Sequence, residues 1–413
     1  MSVITAFSGT FCNADQIVSA LVSATGYRLV PDSELVAQAA RLSELEESKI
    51  ARAFTGKVSV FNRFTHEKER SIAYLRLALA ELLAADGLLV YGFTSLLVPA
   101  SISHVLRVCL ITDTRRRLEA ARSQEGLGEK EALNLLHTQD QDRAVWVREV
   151  TGQKDPWAGE LYDIVLPSDK TTPEQAAALI RETLEKPLLQ PNAKSRQAVR
   201  DFLLAARVEV ALAREGHSVG VRAENGQVLL TINKHVLLLS RLEEELKAIA
   251  ARIDGVGSVA VKVGENFYQA DIYRRYDFQV PSKVLLVDDE REFVQTLSER
   301  LIMRDMGSAV AYDGESALTM IEEEEPEVMI LDLKMPGIDG IEVLRRVKGS
   351  RPDIEVIILT GHGSEDDRKV CMDLGAFAYL QKPVDIELLS ETLRLANEKI
   401  QGQKAAAAGP HGA

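Results

Sequence analysis

The sequence predicts a multidomain α/β protein built on parallel sheets, and three observations carry that prediction. Apolar runs of strand length alternate with charged stretches of helix length over most of the chain, the pattern of strands joined by covering helices. A length of 413 residues exceeds what one ordinary core holds and suggests roughly two to four domains. Around Asn225-Gly226 the pattern changes to strict alternation across a two-residue turn, so a smaller α+β unit interrupts the α/β segments.

Composition narrows the function before any motif is considered. A net charge of −13 makes the molecule a poor non-specific binder of nucleic acid. Cys12, Cys109 and Cys371 have no paired spacing, which argues against a disulfide framework or a zinc site and fits a reducing compartment. The N-terminus lacks the basic and apolar regions of a signal peptide. Apolar stretches such as Leu88–Val98 fall short of the ~20 residues of a membrane span. The expectation is a cytoplasmic protein with no DNA partner and no membrane span.

Residues 1–188 form the first expected domain. Val3–Phe7, Gly87–Phe93, Val105–Thr112 and Tyr162–Pro167 read as buried strands. Asp32–Ala53, Glu67–Ala85, Thr114–Gln124 and Thr172–Leu184 read as helices. Gly9–Tyr27 follows the first strand and opens a helix, the place where a glycine-rich loop cradles phosphate. That chemistry calls for G-x-x-x-x-G-K-[ST], with lysine for the terminal phosphates and a hydroxyl for magnesium. Gly9 and Thr10 are present, but Asn13, Ala14 and Asp15 stand where glycine, lysine and hydroxyl are expected, and no lysine precedes Lys49.

Together with Gly87–Pro99, Thr112–Ala132 and Gln139–Asp169, this loop resembles the cytidylate kinase-like family over about 185 residues. The resemblance implies a P-loop, nucleoside monophosphate kinase-like parallel sheet. It also implies that Arg115–Arg117, Arg143 and Arg148 match lid arginines that neutralise nucleotide phosphates, so Gly9, Thr10, Arg115, Arg116, Arg143 and Arg148 are candidate nucleotide contacts. Phe93 stands where the family has an arginine, and the loop lysine is missing. From the residues alone, Arg115–Arg117 read equally well as an exposed helix face. Trp146 and Trp157 read as packing residues, and His66, His104 and His137 have no metal-site spacing.

Pro187 and Pro191 flank an expected linker to the second domain, residues 193–266. A helix at Arg196–Glu215 leads into a hairpin at Val219–His235, then a helix at Val236–Ile253 and a strand at Gly257–Val263. This order resembles the BON family of small binding modules, and an unrelated α+β spacer fits the same pattern. His217 and His235 read as surface residues.

Residues 282–400 repeat strand and helix five times. In open parallel sheets reactive groups gather beyond the carboxyl ends of the strands. Here the first strand ends in Asp288-Asp289, the third in Asp332, the fourth in Thr360 and the fifth in Lys382. Three converging carboxylates call for a hard cation, Mg²⁺ above all. The ion favours approach of a phosphoryl group to Asp332 as nucleophile, with Lys382 and Thr360 contacting its oxygens. The motifs VLLVDDE, MILDLKMPGIDG, VIILTGHG and AFAYLQKPV resemble those of response-regulator receiver domains, which implies a flavodoxin-like (βα)5 fold. By that resemblance Asp289, Asp332 and the Lys334 carbonyl bind Mg²⁺ directly, and Asp288 does so through water. Thr360 and Tyr379 form a switch pair, and Lys382–Pro383 is cis. His362 lies near the pocket rim, Glu322–Glu325 read as a solvated helix end, and 401–413 read as a disordered tail.

The function expected is that of a two-component phosphorelay response regulator, phosphorylated on Asp332 by a sensor histidine kinase and coupled to a catalytically degenerate nucleotide-kinase-like domain. Two alternatives stay open: an active cytidylate-type kinase regulated by its receiver, and a scaffold whose phosphorylation controls homodimer formation.

Overall fold

The structure, a computed structural model, describes residues 2–43, 45–56, 66–233, 239–264, 281, 283–302, 304, 306, 308–361 and 363–407. His235 and His362 lie outside them. Two compact units result; strands β1 to β8 belong to the first and β9 to β13 to the second.

The first unit opens with β1 (Val3–Ser8), α1 (Ala14–Thr25), β2 (Arg28–Pro31), α2 (Asp32–Ser43), α3 (Glu47–Ala51) and α4 (Glu67–Leu82). Next come β3 (Leu88–Tyr91), β4 (Val105–Ile111), α5 (Thr114–Glu125), α6 (Glu129–Thr151), β5 (Ile164–Pro167) and α7 (Pro173–Leu184). All five strands pair in parallel in the order β2-β3-β1-β4-β5. Alternate side chains of β1 enter cores on opposite faces. Val3 joins α2 and α4, whereas Ile4 and Ala6 join α1 and α7.

Several boundaries differ from those the pattern suggests. The helix expected over Asp32–Ala53 breaks after Ser43, whose hydroxyl accepts the Leu45 N–H at 3.2 Å and so competes with the helical bond. Strand β3 stops at Tyr91 because Gly92, at φ 120°, turns the chain into a 3₁₀ segment held by Asp32. Two elements escaped the sequence reading. β2 is a four-residue edge strand ending in proline, and α6 spreads its apolar positions among many charges. Arg117, read as part of an exposed face, is buried, because α5 turns it toward the loop after β1.

The expected linker is packed: Leu189 is buried and its carbonyl accepts the Ser2 hydroxyl at 2.6 Å. Helix α8 (Ala193–Arg214) then serves two cores at once. Val199, Phe202, Ala206 and Val210 pack with α4, while Leu204, Val208 and Leu212 pack under a three-stranded sheet. That sheet is β6 (Gly220–Glu224), β7 (Gln227–Ile232) and β8 (Ser258–Val263), with α9 (Leu239–Ala250) on the same core. β6 and β7 are antiparallel and β7 and β8 parallel. Asn225 (φ 50°) and Gly226 (φ 80°) supply the two left-handed residues that a tight hairpin turn requires. Gly226→Ala is therefore expected to destabilise this unit by about 1 kcal/mol, measured by urea unfolding. His217, expected on the surface, is buried; Gly216 (φ 82°) turns the chain at the end of α8 just before it.

A second buried histidine gives a pH-dependent expectation. Burial pushes the His104 imidazole below its ordinary value, outweighing the opposing pull of Asp86. The folded state thus binds the proton less well than the unfolded chain. Stability is fully present above the unfolded value, about pH 6.5, and is lost as pH falls toward the depressed folded value. Urea midpoints of the wild type should drop between neutral pH and about pH 5.5, and His104→Gln should shrink that drop.

The second unit runs β9 (Val284–Val287), α10 (Arg291–Ile302), β10 (Ser308–Ala311), α11 (Gly314–Glu323), β11 (Val328–Leu331) and α12 (Gly340–Ser350). β12 (Glu355–Thr360), α13 (Glu365–Asp373), β13 (Ala378–Gln381) and α14 (Ile386–Ala407) complete it. The strands are parallel in the order β10-β9-β11-β12-β13. Helices α10 and α14 cover one face; α11 and α12 cover the other, together with Cys371 of α13. Glu324, placed in a solvated stretch by the sequence, instead pairs with Lys283 at 2.9 Å, where both side chains are mostly buried. The terminal helix continues to Ala407 through residues read as tail, since alanine is the strongest helix former.

Candidate functional site

The strand order of the second unit reverses at β9 and β11, so a crevice opens beyond their carboxyl ends. Asp288 and Asp289 follow β9 and Asp332 follows β11; their carboxylate oxygens come within 4.8 Å of one another. Asp288 and Asp332 are buried and Asp289 is exposed, so one side of the cluster opens to solvent. The backbone fixes the pair, because the Asp332 N–H donates to the Val287 carbonyl at 2.9 Å. Oδ1 of Asp332 accepts the Leu333 N–H at 2.7 Å, and Oδ1 of Asp288 accepts the Glu290 N–H at 2.9 Å.

Lys382 enters from the end of β13. Its Nζ lies 2.6 Å from Asp288 Oδ2 and 3.6 Å from Asp332 Oδ2, and donates to Glu290 Oε1 at 2.9 Å. Burial alone would lower the lysine's proton affinity, but its bonds to Asp288 and Glu290 outweigh that and raise it. Burial pushes the Asp288 carboxyl above its ordinary value, against the pull of Lys382. The site is a set of hard oxygen donors with one ammonium inside it.

Thr360 is fully buried at the end of β12, and its carbonyl accepts the Lys382 N–H at 3.0 Å. The Lys382–Pro383 bond is cis. A Cβ placed on Gly363 would lie 2.9 Å from Tyr379 Cζ and 3.0 Å from Thr360 Cγ2, so both residues border one glycine. The Tyr379 hydroxyl, a buried atom, has no hydrogen-bond partner among the described residues. Lys334 follows Asp332 by two positions, with its side chain exposed. The crevice thus brings together Asp288, Asp289, Asp332 and Lys382, with Thr360 at the adjoining strand end.

Three supporting residues went unnoticed in the sequence. Glu290 is a further carboxylate on Lys382, and the Phe293 ring lies 4.4 Å from its Nζ. Gly340 opens α12 so close to the loop after β11 that a Cβ would stand 2.7 Å from the Leu333 Cα. Glu290 adjoins Asp288-Asp289 in the chain and was legible there; the other two depend on packing.

In the first unit the loop after β1 gathers Gly9, Thr10 and Arg143, but not Arg115, Arg116 or Arg148. Arg143 Nε donates to the Ser8 carbonyl at 2.8 Å. Arg115 and Arg116 project into solvent beside Glu119, and Arg148 is exposed. Phe93 packs edge-on to Phe7 and Trp146 and stacks on Phe54, at centroid distances of 5.9, 6.2 and 5.2 Å. At the position where the resemblance implies an arginine, this chain has part of an aromatic core. Trp146 is fully buried and donates its indole N–H to the Phe93 carbonyl at 2.8 Å.

Comparison with known proteins matches residues 284–394 to the response regulator receiver domain family. The C-terminal unit is a receiver domain. Residues 3–170 match the cytidylate kinase-like family, so the receiver follows a kinase-like parallel sheet. The receiver is similar to the response regulator MprA of Mycobacterium tuberculosis (strain H37Rv), with 34% identity over 124 residues, covering 30% of this chain and 54% of that protein. MprA of Mycobacterium avium (strain 104) is 35% identical over 112 residues, covering 27% and 49%. The chain thus spans about half the length of these curated relatives. Solved receivers from Methanospirillum hungatei JF-1 (26% identity, TM-score 0.29) and Clostridium thermocellum (35%, TM-score 0.28) each align with 29% of this chain and 96% of their own. Among the described residues no helix is long and apolar enough to cross a membrane.

Proposed function

We propose that this protein is a two-component response regulator in which Asp332 accepts a phosphoryl group from a sensor histidine kinase, in a Mg²⁺-dependent reaction. The observation that carries the reading is the convergence of Asp288, Asp289 and Asp332 within 4.8 Å, with Lys382 Nζ 2.6 Å from Asp288 and 3.6 Å from Asp332. Oxygen-only donors of that charge suit a hard divalent ion. Asp289, Asp332 and the Lys334 carbonyl would hold magnesium directly and Asp288 through water. When bound, the ion neutralises charge between the carboxylates and the incoming phosphoryl group.

A carboxylate oxygen of Asp332 attacks phosphorus; the new O–P bond forms as the P–N bond of the donor phosphohistidine breaks, and the imidazole leaves. Lys382 supplies a counter-charge and Thr360 a hydroxyl to the phosphoryl oxygens. Thr360 and Tyr379 then shift together toward the modified site, biasing the receiver between two states. The kinase-like domain acts as a degenerate output module in the cytoplasm, and the β6–β8 segment as a BON-like binding module. The missing loop lysine and the aromatic packing of Phe93 weigh against active kinase turnover.

Acetyl phosphate tests the reading without the partner kinase. With magnesium, the purified chain should gain one acid-labile phosphate, and a chelator should prevent it. A chain that stays unlabelled in magnesium, or labels equally well without it, would sink the proposal.

A further inference from the structure

The loop between β1 and α1 is arranged around cationic groups. Arg117, at the start of α5, is 2% exposed and donates Nε to the Thr10 carbonyl at 2.8 Å. Its Nη1 and Nη2 form a two-pronged bond to Asp140 of α6, at 2.8 Å to Oδ2 and 2.6 Å to Oδ1. Arg143, one turn further along α6, reaches the Ser8 carbonyl, and the buried Cys12 thiol lies 3.6 Å from the Thr10 carbonyl. A loop that receives phosphate presents N–H groups to it. Here the carbonyls of Ser8, the last residue of β1, and of Thr10 in the loop face guanidinium groups, and the negative partner of the arginine fork is a side chain of the same domain.

We propose that Asp140 is a built-in anion whose carboxylate occupies Arg117 and so closes this loop to nucleotide phosphates. The inference rests on reading this domain as a degenerate kinase and names what keeps it shut. A guanidinium fork binds carboxylate and phosphate in the same bidentate geometry, so Asp140 competes directly with a phosphoryl group for Arg117. The two partners differ in burial: the Asp140 side chain is 31% exposed and that of Arg117 only 3%. The carboxylate is therefore the member that solvent can reach and that can swing away. Removing its charge leaves a buried cation uncompensated, which strongly favours entry of another anion. Thr10 Oγ1, a buried atom without a hydrogen-bond partner among the described residues, is a spare donor beside the loop.

The test is calorimetric titration of the full chain with ATP and magnesium, comparing the wild type with Asp140→Asn. The wild type should give no saturable heat up to about 1 mM, and Asp140→Asn should bind at least about tenfold more tightly. Adding Arg117→Met to Asp140→Asn should remove the gain. A wild type that binds ATP in the micromolar range overturns the proposal, as does a folded Asp140→Asn that stays silent. Should Asp140→Asn melt early, Asp140→Ser retains a hydrogen-bonding group and faces the same two outcomes. Conversion of ATP and CMP to CDP by the wild type would instead overturn the degenerate-kinase reading itself. Acetyl phosphate labelling of Asp332 in the same preparations should not differ between variants.

Discussion

Asp332→Asn should carry no phosphate after incubation with acetyl phosphate and magnesium, while the wild type carries one. The amide is close to the carboxylate in size and can still accept the Leu333 N–H, so the fold should survive. Two properties are lost together: the anionic oxygen that attacks phosphorus and one of three negative charges that attract a cation. Lys382→Ala should act differently. The nucleophile remains, but the ammonium that bridges Asp288, Glu290 and Asp332 is gone. Labelling should then slow by a factor on the order of 10²–10³, the usual cost of deleting one charge-stabilising donor. Mass spectrometry of the intact chain reads both effects. Persistence of the label in Asp332→Asn would falsify the assignment of the acceptor.

A chain ending at Leu188 should fail to fold as a stable domain, although it contains every strand of the kinase-like sheet. Helix α8 lies beyond that point and fills part of the core that α4 leaves open. Without it, the surroundings of Ile72, Leu75 and Leu79 lose Val199, Phe202, Ala206 and Val210. Burial of side chains the size of Val199, Phe202 and Val210 contributes about 1.5–3 kcal/mol each, which together rivals the ~5–15 kcal/mol that holds a domain folded. The Arg76–Glu209 ion pair and the bond from Arg214 Nε to the Tyr74 hydroxyl at 3.0 Å would go too. Circular dichroism and urea melts of chains ending at Leu188 and at Gly264 make the comparison. The longer one should unfold in a single cooperative transition, because α8 has one face in each core. A sharp, equally stable melt from the shorter one would show that α8 is an accessory.

The acidic crevice was legible because each of its residues sits directly at a strand end, and strand ends follow from apolar runs. Once Val284–Val287 and Val328–Leu331 are placed side by side in a parallel sheet, Asp288, Asp289 and Asp332 must converge. The loop after β1 was legible only as a missing motif. That Arg117 turns inward could not be read, since α5 carries three consecutive arginines and only Asp140, 23 residues away, distinguishes the last one. The expected exposure of His217 failed for a similar reason, because a lone polar residue near a glycine carries no burial signal.

What the sequence by itself determined was local: strand and helix periodicity, the hairpin at Asn225-Gly226, and the chemistry stationed at the receiver's strand ends. These depend on neighbours within a few residues, where side-chain spacing and backbone preference act directly. Only the tertiary structure decided that α8 completes two cores, that Glu290 and Phe293 close around Lys382, and that Asp140 occupies Arg117. Each of these joins residues distant in the chain through packing or charge pairing, and such partners are chosen by how whole elements dock.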